Sequence, residues 1–294
     1  MTSSAETGDG TDVPVGELTA SPAISVLRGV GILAGFLAFT LPLMPVQAAL
    51  KRLAPRAARR FPHWYHRRAC QLFGIRVHVT GHAPYHGPTL FIANHSSWLD
   101  IPVLSHVAPL AFVAKKEVGT WPGVSSLARL QNTVFVDRER RQNVGQTAGE
   151  ITQRLQDGGS IVLFAEGTST DGNRVLPFRS SLFGAALPNR PAQDRKARAP
   201  TQKRLAEPHV QTAAIVYRQL HGIPIGRSDR ALVSWYGDME MVGHGWGVLK
   251  AGPLDVAVEL GPAVPLSQVK DRKVLAAETE GEIRSAVTNL LRNG

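Results

Sequence analysis

Between Gly29 and Leu50 the chain runs 22 residues without a charge: GVGILAGFLAFTLPLMPVQAAL. Wound as a helix this stretch is about 33 Å long, enough to cross the hydrocarbon core of a bilayer. Pro42 and Pro45 would kink or end such a helix near its last third, so an interfacial or re-entrant anchor fits as well as a span. A core helix of a soluble protein passes the same test of length. A cleaved signal peptide fits poorly, because the first 22 residues carry Glu6, Asp9, Asp12 and Glu17 and no Lys or Arg. The basic stretch follows instead, from Lys51 to Arg68, and by the positive-inside rule it stays in the cytoplasm and can grip anionic headgroups. The chain therefore divides into a disordered tail (1–22), a membrane anchor (23–50), a basic juxtamembrane segment (51–72) and a folded domain (73–294).

Charge narrows the partners. The formal net charge of +10 calls for an anionic one: nucleic acid, a membrane surface or a phosphorylated substrate. The basic residues cluster beside the apolar run and in one loop, with no nucleic-acid-binding motif, so nucleic acid is not an expected partner. Cys70 is the only cysteine, which excludes an internal disulfide and a Cys-based zinc site.

Beyond the anchor the pattern alternates. Residues 75–80, 89–93, 109–114, 133–136, 160–164, 211–217, 231–236 and 254–260 read as strands. Val144, Ala148, Ile151 and Leu155 share one helical face, stopped by Gly158 and Gly159, and Ile283, Val287, Leu290 and Leu291 mark a closing amphipathic helix. Strands alternating with helices predict an α/β fold with a mixed, largely parallel sheet flanked by helices. Residues 187–208 break the rhythm, with four prolines and six Lys or Arg, and read as a basic surface loop.

Three segments could carry chemistry. In Asn94-His-Ser-Ser-Trp-Leu-Asp100, His95 and Asp100 can meet if the histidine lies in the turn after strand 89–93 and the aspartate in the first turn of a helix. Ser96 or Ser97 would cap that helix, with Ile101, Leu104 and Val107 on its buried face. Asp100 would then fix the imidazole tautomer and leave the other nitrogen as a base; a purely structural histidine satisfies the same spacing. Next, Val134-Phe-Val-Asp-Arg ends a strand with Arg138, which suits phosphate or a surface ion pair. Last, Phe164-Ala-Glu-Gly-Thr follows an apolar strand, and its glycine allows close approach of an anion or simply a tight turn. His78, His82 and His86 repeat every four residues, but Gly81, Pro84 and Gly87 break any helix and with it a metal site. No G-x-S-x-G elbow supports a serine nucleophile.

In this order and at these separations, NHSSWLD, TVFVDR and FAEGTSTDGNRVLPFR resemble the glycerophospholipid acyltransferase family, nearest to its bacterial lysophosphatidic acid acyltransferases. The resemblance spans roughly residues 75–264 and implies an acyltransferase-like α/β domain behind an N-terminal anchor, on the cytoplasmic face of the inner membrane. It implies His95 as general base and Asp100 as the residue orienting it. Phe135 and Arg138 fall in the second block, whose arginine holds the acceptor phosphate. Glu166, Gly167 and Thr168 fall in the third, assigned to acceptor binding, with Arg179 adding a second positive charge. It implies no cofactor and no metal. An acyl-CoA or acyl carrier protein thioester is the co-substrate, membrane lipids are neighbours and a lysophospholipid is the acceptor.

Four positions depart from the family pattern: Asn132 for glycine, Ala165 for proline, Ser169 for arginine and Thr212 for proline. Asparagine tolerates a left-handed turn. The loss of an arginine after Glu166-Gly167-Thr168 bears on the acceptor headgroup more than on the reaction. Lysophosphatidic acid is thus the first expected acceptor, and lyso-ornithine lipid, which lacks a phosphate, the second; an inactive membrane scaffold is the non-enzymatic alternative.

Overall fold

A computed structural model describes residues 22–136, 141–186 and 206–292. The elements run α1 (Pro22–Leu53), α2 (Pro55–Phe73), β1 (Ile75–Gly81), β2 (Thr89–Ala93), α3 (Asp100–Val107), β3 (Leu110–Lys115), α4 (Val124–Leu130), β4 (Val134–Val136) and α5 (Arg141–Gln156). They continue with β5 (Ser160–Phe164), α6 (Ser180–Ala186), β6 (His209–Leu220), β7 (Ile223–Pro224), α7 (Met241–Ala251), β8 (Leu254–Leu260), β9 (Val264–Pro265) and α8 (Arg272–Arg292).

The strands join in one sheet of order β1-β8-β6-β2-β5-β3-β4, with β7 and β9 pairing at β6. From β6 to β4 every neighbour is parallel, while β8 runs antiparallel to β6 and takes β1 with it. The expected mixed, largely parallel sheet is present. Strand β2 lies between β5 and β6 and is buried at all five positions, which explains its unbroken apolar run. Alternate residues feed two cores. Phe91, Ala93, Phe164, Ile215 and Tyr217 meet Cys70, Leu99, Leu104 and Val248 on one face. Leu90, Ile92, Leu163 and Val216 meet Ile151, Phe183, Leu275 and Ile283 on the other. Burying each large side chain contributes roughly 1.5–3 kcal/mol, so this two-sided packing fixes the strand register.

Helix α1 continues through Pro42 and Pro45 rather than ending there. Side chains along its length hold it to the domain. Phe36 packs on Phe73, Phe39 stacks on Tyr65, the Thr40 hydroxyl lies 2.7 Å from that of Tyr65, and Gln47 Nε2 donates to the carbonyls of Ala58 and Leu130. Its other side, including Val26, Val30, Leu33, Leu37 and Leu41, is exposed and apolar. Only 11% of its most apolar window is buried, which excludes the core-helix reading. This single apolar helix near the N-terminus suits membrane association.

Two local expectations change. Residues 231–236 form no strand: Asp229–Leu232 is a 3-10 turn, and the Trp235 N–H donates to the Ser96 carbonyl at 2.7 Å instead of to a ladder. At the start of α3 neither serine side chain caps the helix. Leu99 is the cap residue, and Asp100, one step inside, reaches back to the N–H groups of Ser96 and Ser97. Residues 187–205 of the expected basic loop lie outside the described residues.

Candidate active site

His95 follows β2 at the edge of the sheet where β5 also ends, so the parallel pairing delivers His95 and Glu166 side by side. Asn94 secures the turn: its side-chain amide donates to the Ile215 carbonyl at 3.0 Å and its oxygen accepts from the Ile215 N–H at 2.8 Å. The backbone of His95 is held as well. Its N–H donates to Glu166 Oε1 at 2.8 Å, and its carbonyl accepts from the Thr170 N–H at 2.9 Å.

The imidazole stacks on Phe164, with ring centroids 4.0 Å apart, and its Nδ1 lies 2.7 Å from Asp100 Oδ2. A carboxylate only accepts, so this contact places the hydrogen on Nδ1 and leaves Nε2 with its lone pair. The His95 side chain remains 19% exposed while that of Asp100 is fully buried. Four donors face the Asp100 carboxylate: His95 Nδ1, the N–H groups of Ser96 and Ser97, and the Tyr217 hydroxyl at 2.7 Å from Oδ1. Burial, followed by the charge of Asp100, pushes the Tyr217 phenol well above its ordinary range, so it stays a donor.

Glu166 is almost fully buried, at 2% exposure. Its Oε1 takes the His95 N–H and its Oε2 the Leu176 N–H, each at 2.8 Å. Burial pushes this carboxyl up to about 7 against the pull of those two N–H groups, and the Asp100 charge adds to the rise. Both oxygens are thus committed to backbone, so the geometry ties two loops together and presents Glu166 as a brace for His95. Gly167 has φ of 74°, and a Cβ there would come within 3.0 Å of Arg179 Cδ. Arg179 is exposed and lies over this glycine, its N–H donating to the Ala165 carbonyl at 2.9 Å. Thr168 is half-buried beside it.

The second block is more distant from this network. Phe135 sits on β4 against Gly119, with the Arg129 guanidinium 5.5 Å over its ring. Arg138 lies outside the described residues. Asn132 takes the left-handed conformation expected of it, at φ 61°. Trp98 packs against the core and donates from Nε1 to His244 Nδ1 at 3.1 Å. Sequence reasoning missed Tyr217, Phe164, Thr170 and Trp235 as parts of the site. Tyr217 carried a usable signal: a tyrosine closing the apolar run Ala213–Val216 needs a buried partner for its hydroxyl.

Three comparisons bear on this arrangement. A family model described as "Acyltransferase" matches residues 74–191. The chain is 42% identical over 268 residues to a lyso-ornithine lipid O-acyltransferase of Brucella abortus, covering 91% of this chain and 97% of that one. It is 43% identical to one of Rhizobium meliloti, covering 86% and 83%. Among solved structures, the 1-acyl-sn-glycerophosphate (LPA) acyltransferase PlsC of Thermotoga maritima shares the fold, with TM-score 0.59 and 22% identity over 91% of this chain and 95% of that one. On this fold and these relatives, the chain is an acyltransferase and belongs to the glycerophospholipid acyltransferase family.

Proposed function

We propose that the protein transfers an acyl group from a thioester to the free hydroxyl of a lysolipid at a membrane surface, with lyso-ornithine lipid as acceptor. The observation that carries the reaction is the His95–Asp100 pair, 2.7 Å apart at the end of a buried strand. His95 Nε2 takes the proton from the acceptor hydroxyl as that oxygen attacks the thioester carbonyl, then returns it to the departing thiolate. Asp100 holds the tautomer and steadies the imidazolium that forms between the two steps. Because the thioester is already activated, the chemistry needs no covalent enzyme intermediate. Glu166 is a positioning residue in this reading, keeping the His95 backbone in register with β5. Gly167, Thr168 and Arg179 form the adjacent surface offered to the acceptor headgroup, and Phe135 and Arg138 of the second block are assigned to the same acceptor.

The choice of lyso-ornithine lipid over lysophosphatidic acid is supported by the relatives' 42% and 43% identity and by Ser169 standing where the family often has an arginine. A headgroup without phosphate needs fewer cations. The donor is an acyl-CoA or an acyl carrier protein thioester. The domain boundaries follow the helices: α1 lies in the interface of the inner membrane with its apolar side in lipid, and the domain it flanks faces the cytoplasm. Contacts from α1 to α2, α4 and α7 along its whole length support an in-plane helix rather than a free span.

Thiol release from oleoyl-CoA by the detergent-solubilised protein, with each acceptor in turn, tests the proposal. Release that depends on lyso-ornithine lipid and vanishes in His95→Ala is expected, with membrane association retained by the variant. Release dependent on lysophosphatidic acid alone would overturn the acceptor, and full activity of His95→Ala would remove the histidine from the mechanism.

A further inference from the structure

At the sheet edge opposite His95, a recess of about 390 Å3 opens between the α1–α2 hairpin, the starts of β3, β4 and β5, and the end of α5. Strand β5 alone separates the two edges by about 13 Å, so the recess lies apart from the transfer chemistry. Three cations converge on it from three elements: Lys51 from the last turn of α1, Arg59 from α2 and Arg154 from α5. Lys51 Nζ donates one hydrogen to the Arg129 carbonyl at 2.7 Å, and Arg59 donates to the Asp157 carbonyl. Arg154 is half-buried and, among the described residues, donates no side-chain hydrogen bond and makes no ion pair.

Two carboxylates, Glu150 and Asp157, also line the recess but do not neutralise it. Burial lowers the Arg154 pKa most, and the field of Arg59 lowers it further, ahead of the opposing pull of Glu150 or Asp157. Lys51 is lowered by burial and then by Arg154. Three cations against two carboxylates leave the recess with a net positive charge, an arrangement that an added anion relieves. The mouth identifies the source of that anion. Leu53 stands 84% exposed two residues beyond Lys51, where α1 ends, and Arg52, Arg56 and Arg60 are exposed on the same hairpin. An exposed leucine bordered by cations matches the level at which a lipid's acyl chains meet its phosphate.

We propose that this recess binds the phosphate of an anionic membrane phospholipid, a site separate from the acyl-acceptor site, which clamps the α1–α2 hairpin to α5 and the sheet. The inference is independent of which lysolipid is acylated. The test titrates the full-length protein in detergent with dioctanoyl phosphatidylglycerol, dioctanoyl phosphatidylcholine and inorganic phosphate, reading the thermal midpoint. At ten times its Kd the phosphatidylglycerol should raise the midpoint by about 3 °C, saturably, with no such rise from phosphatidylcholine. Arg154→Gln should abolish the rise and keep acyl transfer, while Arg56→Gln, outside the recess, should keep both. Should Arg154→Gln fail to fold, Lys51→Gln is expected to weaken phosphatidylglycerol binding at least fivefold. An undiminished rise in the recess variants, or an equal rise from phosphatidylcholine, would overturn the site; an equal rise from inorganic phosphate would overturn its assignment to lipid.

Discussion

Replacing Glu166 by glutamine separates the brace from its charge. The carboxyl titrates at about 7 in the folded protein against 4.5 ordinarily, so the native state holds its proton more tightly than the unfolded chain does. The sign follows: this contribution to stability is complete below the ordinary value and is lost as pH rises through about 7. A shift of this size is worth about 3 kcal/mol in total, of which about 2 kcal/mol falls between about pH 5.5 and about pH 8. Glutamine has no such titration. It offers one oxygen to two backbone donors, so it costs about 1–3 kcal/mol at every pH. Thermal unfolding of both proteins across this range should show the wild-type advantage shrinking by roughly 4–8 °C as pH rises. His66, which burial depresses to about 4, acts with the opposite sign, destabilising the fold in acid. It is common to both proteins and drops out of the difference. A gap that stays constant with pH would refute the argument that burial governs Glu166.

Tyr217→Phe removes one of the four donors on Asp100 and should cost about 1.5–3 kcal/mol of stability. It should also lower kcat while leaving the acceptor KM unchanged; steady-state kinetics showing the reverse pattern would place Tyr217 on the substrate instead. At Asn132, where φ is 61°, substitution by valine should cost about 1–2 kcal/mol and substitution by glycine almost nothing, as read from unfolding midpoints. Equal effects of the two would mean that the asparagine side chain, not its backbone conformation, matters there.

The pairing of His95 with Asp100 was legible because it is local: a strand, a turn and the first residue of a helix bring the two together whatever the rest of the chain does. The same holds for the buried strands, whose apolar runs leave few alternatives, and for α1, whose uncharged length admits few environments. Residues 231–236 misled because a short apolar run does not reveal where its backbone hydrogen bonds go, and here Trp235 gives one to Ser96. Pro42 and Pro45 do not end α1, because anchoring contacts from α2 and α4 outweigh their helix-breaking tendency.

Sequence by itself therefore determined the long apolar helix, the α/β alternation and the pairing of His95 with Asp100, all set by composition and short spacings. Tertiary structure decided what surrounds them. Only the parallel register of β2 with β5 and β6 brings Glu166 under the His95 backbone and Tyr217 onto Asp100, across 71 and 117 residues of chain. Only the tertiary arrangement of the α1–α2 hairpin and the end of α5 gathers Lys51, Arg59 and Arg154 around one recess. Local patterns specify which face of an element is buried. They carry no record of which distant side chain will be waiting there, because that depends on strand order and register, which the whole chain sets together.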